Sequence, residues 1–404
     1  MTDYLVRPIT DAECRPTLDL LVRSLNGEPL DDASWEKISR SWAADGRTGA
    51  FHGDEPIGIA SSFRTELTVP GGAAVPMGAV DGVGVRADWT RRGVLTAMMD
   101  SQLRDFADRG CPVAGLHASE ALIYGRFGYG VATRMATLQI RRPAPFRTGA
   151  AVGGRVRLLS AEAAVETIPA LYQHIGAHRA GMIARPELWW PIQLDRAVSR
   201  EGGHWRVAVH TGPDGDDGFA VFRNVPQNSY LDPERGAALE VRDFHAAGPE
   251  AEAGLWRFLL SVDLVEVVNV RGRPLDDPIG LLLADPRRAA TLGVDDELWL
   301  RLVDVQAALA ARSYGPAEPV VLEVNDRMLP ENQGRYRIGD GVERTDAEAD
   351  ATLDVDTLAM LYLGAWQASA LALAGRITGA DAAVLGRMDA LFGTERQPWS
   401  GTHF

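Results

Sequence analysis

Two arginines followed by a glycine, Arg91-Arg92-Gly93, stand where one regular pattern in this 404-residue chain gives way to another. Upstream, Val80-Asp81-Gly82-Val83-Gly84-Val85-Arg86 alternates apolar and small residues, as a strand does. Downstream, Val94-Leu95-Thr96 opens an apolar-periodic helix through Ala97-Met98-Met99 to Phe106. A strand, a basic glycine-bearing turn and a helix together make a phosphate-binding arrangement. The first backbone N–H groups of the helix lack partners and point outward, and the helix dipole favours an anion there. Gly93 carries no side chain, so the backbone can approach a pyrophosphate closely. Arg91 and Arg92 add charge-assisted hydrogen bonds.

The rest of the chain must position that turn. Its length favours two or three domains. Hydrophobic residues make up 46% and charged residues 24%, the balance of a globular protein. The formal net charge is −14, which argues against nucleic acid as a partner, because phosphate binding needs a basic surface. It suits a cationic substrate drawn to an acidic cleft. No apolar run reaches the length of a membrane span and no signal segment follows Met1, so a cytoplasmic address without membrane association is expected. The two cysteines, Cys14 and Cys111, are far apart, the histidines do not cluster, and no metal is expected.

Taken in order, Tyr4–Arg7 reads as a strand, and Thr10 with Glu13 as a capping box opening a helix to about Leu25. Asp31–Trp42 reads as a second helix. Strands follow around Thr48–His52, Pro56–Glu66 and Met77–Val85, then the Thr96 helix, a strand near Val113–His117, a helical turn around Ser119–Arg126, and a closing strand Met135–Arg141. After a Pro/Gly/Ala-rich linker, Pro143–Gly154, the pattern restarts: strand Arg155–Leu159, helix Ala164–Ile175, strands to His245, helix Pro249–Leu260, strand Val265–Val270. That is an internal duplication. The second copy carries Glu250 and Glu252 where the first carries its arginines, which would repel a pyrophosphate. A third character begins near Asp295. It comprises a helix Leu298–Ala311, strands Val320–Val324, Gly334–Ile338 and Ala351–Val355, and helices to Phe392.

The Thr90-Arg91-Arg92-Gly93-Val94-Leu95 turn resembles the acetyl-CoA site of GNAT N-acetyltransferases, Gln/Arg-x-x-Gly-x-Gly/Ala, with both outer positions changed. Over nearly its full length the chain resembles the Eis (enhanced intracellular survival) family. The resemblance is carried by Val83–Met99, Ile123–Gly130, Arg179–Pro186, Leu298–Val305, Leu361–Gly364 and the ending Trp399-Ser400-Gly401-Thr402-His403-Phe404. It implies an α+β protein of two tandem GNAT-like domains followed by a sterol-carrier-protein-like α/β domain. The expected boundaries are 1–148 for a catalytic acetyl-CoA-binding domain, 149–290 for a second GNAT-like domain lacking that site, and 291–404 for the third. It also implies a homohexamer.

By the same resemblance, Tyr124 is the general acid and the terminal carboxylate of Phe404 the general base. Val83, Gly84 and Val85 line the pantetheine arm of acetyl-CoA. Arg91, Arg92, Gly93, Val94, Leu95 and Thr96 meet the pyrophosphate, and Ser119 and Glu120 lie near the acetyl end. Amine acetylation needs these roles: a base frees the amine, a donor steadies the thioester oxygen, and an acid meets the thiolate. Glu28, Asp31, Asp32, Trp35 and Asp81 are candidates for a cationic, polyamine-like acceptor, since carboxylates and aromatic faces both attract ammonium groups. Gly82 departs from the bulky residue expected beside the family's acceptor site. The expected activity is transfer of acetyl from acetyl-CoA to primary amines of aminoglycosides or similar polyamines at several positions. Alternatives are a protein or peptide lysine acetyltransferase, and a non-catalytic protein binding CoA or an apolar ligand.

Overall fold

The capping box read near the N-terminus is formed: the Thr10 N–H donates to Glu13 Oε2 at 2.7 Å, and the Thr10 side chain accepts in return. A computed structural model describes residues 3–39, 42, 46–150, 153–187, 189–200, 205–226 and 236–404; the C-terminal part of the Asp31–Trp42 helix reading lies partly outside them. The chain forms two bodies. The first comprises Met1–Ala132, Leu298–Glu395 and His403–Phe404; the second comprises Thr133–Glu297 and Arg396–Thr402.

The first body opens with β1 (Leu5–Pro8), α1 (Cys14–Ser24), α2 (Asp32–Ile38), β2 (Arg47–His52), β3 (Glu55–Thr68) and β4 (Ala74–Val85). It continues with α3 (Val94–Asp108), β5 (Val113–Leu116), α4 (Ala121–Tyr124) and β6 (Gly130–Val131). β3 and β4 pair antiparallel over their length, with a bulge between Ser61 and Ser62 that leaves Asp81 without an opposite residue. α3 is the crossover between β4 and β5, which run parallel. Met98, Met99, Leu103 and Phe106 on α3 are all buried, each removal from water contributing roughly 1.5–3 kcal/mol.

The second body holds β7 (Arg134–Arg141), β8 (Arg155–Leu159), α5 (Ala161–Ile175), β9 (Arg206–Gly212), β10 (Gly215–Val225) and β11 (Ala237–Ala246). α6 (Pro249–Ser261), β12 (Val265–Arg273), α7 (Ile279–Leu282) and β13 (Ala289–Asp296) complete it. Its sheet runs β13-β7-β12-β11-β10-β9-β8. This corrects one expectation: β7, read as the closing strand of the first sheet, belongs to the second. Its apolar face, Ala136, Leu138 and Ile140, packs with Trp256, Leu259, Val268 and Val270. Burial, rather than nearness in sequence, selects the partner.

Leu298–Ala311 is not one helix but β14 (Trp299–Leu302) and a short α8 (Val305–Ala311). β14 inserts between β5 and β6, giving a first sheet β1-β2-β3-β4-β5-β14-β6. All of β14 is buried, and a strand covered on both faces loses the alternation that identifies strands. Arg301 within it is fully enclosed and donates from Nη2 to both oxygens of Asp326 at 2.7 Å. Position by position, β8–β12 repeat β1–β5, and β7 repeats β14, so the duplication stands.

The rest of the first body is β15 (Val320–Asn325), β16 (Gly334–Ile338), β17 (Val342–Arg344), β18 (Ala351–Asp354), α9 (Val355–Tyr362), α10 (Ala368–Leu373), β19 (Ile377–Thr378) and α11 (Ala382–Phe392). These strands form a sheet ordered β17-β16-β15-β18-β19. Among the described residues no helix is long and apolar enough to cross a membrane.

Candidate active site

β4 and β5 pair only from Met77–Val113 to Val80–Leu116. Beyond Val80, β4 runs on to Val85 bonded to β3 alone, and no described strand joins its other edge. The strands part there and leave an opening whose β4 side carries free backbone donors and acceptors. Val83, Gly84 and Val85 lie along this edge, where an extended pantetheine arm could add as a strand would.

The turn that follows is shaped for an anion. Arg91 has φ +61° and Gly93 φ +82°, a left-handed bend that glycine accepts freely and arginine only under strain. Gly93 is the N-cap of α3 and offers no side-chain cap, so the N–H groups of Val94, Leu95 and Thr96 have no capping partner. Arg91 and Arg92 are exposed, and Arg92 lies over the Trp89 ring at 4.9 Å. Donors, a helix start and two cations thus meet on one short segment, as an anion site requires.

Beyond β5 the chain turns through Ser119 and Glu120, both exposed, into α4. Tyr124 ends that helix and is buried; the loss of solvent pushes its phenol up, the Ser119 side chain partly opposing. Such a phenol stays protonated at neutral pH and can donate to a thiolate. Tyr129 lies edge-on to Tyr124 at 6.1 Å, but its hydroxyl is sealed in the core without a hydrogen-bond partner. No leaving group can reach it.

The C-terminus is docked. The His403 ring stacks on His117 at 4.6 Å. Phe404 meets His117 edge-on at 4.8 Å and Phe63 of β3 at 5.5 Å. His117 directly follows β5, two residues before Ser119, so the tail ends at the turn that leads to Tyr124. Neither His117 nor Phe63 stood out in the sequence; each needed the fold to bring it to the tail.

The acceptor candidates divide. Asp81 is exposed on β4, at the bulge facing Ser61 and Ser62. Desolvation raises its pKa, while the neighbouring Ser61 hydroxyl and Arg47 guanidinium pull it back. Asp31 caps α2, accepting the Ser34 N–H at 2.7 Å. Asp32 pairs with Arg15 at 2.8 Å, and Trp35 packs against the α1 core. Glu28 is exposed on the loop between those helices.

Comparison with known proteins gives the family. Residues 5–132 and 181–307 each match the acetyltransferase (GNAT) domain family, and residues 305–401 the sterol carrier protein domain family. The N-acetyltransferase Eis of Mycobacterium tuberculosis is 37% identical over 362 residues, covering 86% of both chains. An uncharacterized N-acetyltransferase of Streptomyces avermitilis is 37% identical over 393 residues, covering 94% of this chain and 95% of its own. The crystal structure of Eis1 from Mycobacterium abscessus superposes with a TM-score of 0.88 at 39% identity, covering 99% of this chain and all of that one. The chain is therefore an acetyl-CoA-dependent N-acetyltransferase and belongs to the Eis family, with two GNAT domains and a sterol-carrier-like third.

Proposed function

We propose that the protein acetylates primary amines of aminoglycosides or similar polyamines, at more than one position. Acetyl-CoA lies along Val83–Val85 with its pyrophosphate on Arg91, Arg92 and the start of α3. A strand N–H from Val83 or Val85 polarises the thioester carbonyl. The Phe404 carboxylate takes a proton from the amine, whose lone pair then attacks the acetyl carbon. The tetrahedral intermediate collapses by breaking the C–S bond; the Tyr124 phenol protonates the departing thiolate, and the second proton leaving the new amide nitrogen restores the phenol. Asp81, on the free edge of β4, attracts the cationic acceptor. The protein works as a homohexamer, which light scattering tests.

The observation that carries this reading is the docking of His403 and Phe404 on His117. A terminal pair normally frays, and only a held carboxylate can act as a base. Deleting Phe404 is expected to lower kcat on an aminoglycoside by at least about 100-fold with the KM for acetyl-CoA unchanged, the usual worth of a positioned base. Tyr124→Phe should fall similarly. Full turnover without Phe404 would defeat the mechanism, and turnover confined to lysine peptides would defeat the substrate class.

A further inference from the structure

We propose that Glu297 and Arg185 form a clamp that holds residues 400–402 and thereby presents the Phe404 carboxylate; both are positioning residues, and the idea rests on the base assigned above. The Glu297 carboxylate is 4% exposed. Its Oε2 accepts the Ser400 N–H at 3.0 Å and the Thr133 hydroxyl at 2.8 Å, and its Oε1 accepts the Gly401 N–H at 2.9 Å. Arg185 grips the same tripeptide by its acceptors. Nη2 donates to the Gly401 carbonyl at 3.0 Å and Nε to Thr402 Oγ1 at 3.0 Å. The other side of that guanidinium is held by Asp243 at 2.6 and 3.0 Å.

Trp399 fixes the approach. Its N–H donates to the Ala180 carbonyl at 2.9 Å and its indole Nε1 to the Gly272 carbonyl at 2.8 Å. Gly181 has φ +96°, and a Cβ there would lie 3.0 Å from the Trp399 carbonyl, so a side chain would push the tail away. A buried acid on two backbone donors and a buried arginine on the adjoining acceptors is far more than a fraying end needs. Enclosing charges is costly, and here the return is the placement of atoms two residues from the chain end.

The grip is also sensitive to acid. Burial pushes Glu297 up to about 7, opposed by the Ser400 and Gly401 N–H groups, Thr133 and Arg179. A carboxyl that takes a proton turns one oxygen into a donor facing donors. The clamp therefore loosens as pH falls through neutrality.

The test uses the full chain and its Glu297→Gln, Thr402→Val and Phe404-deletion forms. Two readouts are taken: kcat against pH with the KM for acetyl-CoA, and release of Phe404 by a carboxypeptidase, followed by mass spectrometry. Glu297→Gln is expected to lower kcat about tenfold with the acetyl-CoA KM within about twofold, to remove the acidic limb near pH 7, and to speed loss of Phe404 about tenfold. Thr402→Val should move both readouts the same way, about threefold. A kcat that falls while Phe404 stays protected overturns the clamp, as does no change in either. If Glu297→Gln does not fold, Thr402→Val decides by the same outcomes. Loss of turnover on deleting Phe404 with a silent Glu297→Gln sinks the clamp alone; a silent deletion sinks the base itself.

Discussion

The two GNAT copies contain the same opening and treat it in opposite ways. In the first, β4 and β5 part beyond Val80 and Leu116; in the second, β11 and β12 part beyond Val241 and Val270. The first opening leaves Asp81–Val85 with a free edge, an uncapped helix start and two exposed arginines. The second is filled by its own chain. Arg273 donates to the Phe244 carbonyl at 3.0 Å and pairs with Asp277 at 2.5 Å and with Glu252 in the first turn of α6. Arg185 binds Asp243, and the Trp399 ring lies 5.1 Å from that of His245. An arginine turned outward at such a site can meet a ligand's phosphate, whereas one turned inward is consumed by a carboxylate. The fold is indifferent to which.

The largest effect should come from breaking the inward arrangement. Asp243→Ala leaves Arg185 enclosed without its partner, and removing one member of a buried pair costs about 3–5 kcal/mol of stability. Denaturant unfolding reads this. Arg91→Ala, at an exposed position, should change stability by less than about 0.5 kcal/mol. Its cost should appear instead as acetyl-CoA affinity weakened about tenfold, the worth of one charge-assisted bond. Equal stability losses in the two variants would erase the contrast.

Next in size is Gly93→Asp. The φ of +82° disfavours any side chain, and the new carboxylate would sit at the proposed pyrophosphate site. The KM for acetyl-CoA should rise about 100-fold, two favourable contacts having become one repulsion. A KM within twofold of the parent would mean that the cofactor takes another path.

Local signals carried the sequence reading a long way. The Thr10–Glu13 box and the Arg91–Gly93 turn are formed where adjacent residues imply them, because capping and helix-start chemistry depend on neighbours in the chain. The duplication was legible for the same reason, as a repeated order of local patterns. What failed was non-local. β7 and β14 each pair in the sheet that covers their apolar faces, and nothing within the strands names that sheet. Arg179–Pro186 and Trp399–Phe404 stood out as two separate stretches, yet only the fold joins them, through the Trp399 N–H and the Ala180 carbonyl. Glu297 was hidden, ending the acidic run Asp295-Asp296-Glu297 that reads as ordinary surface.

The smallest expected effect is the most exacting check on the comparison. Gly248 stands before α6 as Gly93 stands before α3, and it too supplies no side-chain cap. Here, however, φ is −162°, extended backbone that any residue adopts, and an added Cβ would meet no atom within 4 Å. Gly248→Asp should therefore fold unchanged and gain a few tenths of a kcal/mol as its carboxylate caps the helix, the gain trimmed by Glu250 and Glu252 in the same turn. We infer from the filled opening that this helix start meets no pyrophosphate, so the KM for acetyl-CoA should stay as it was. A rise like that of Gly93→Asp would show the second copy taking cofactor, and the division of labour between the openings would collapse.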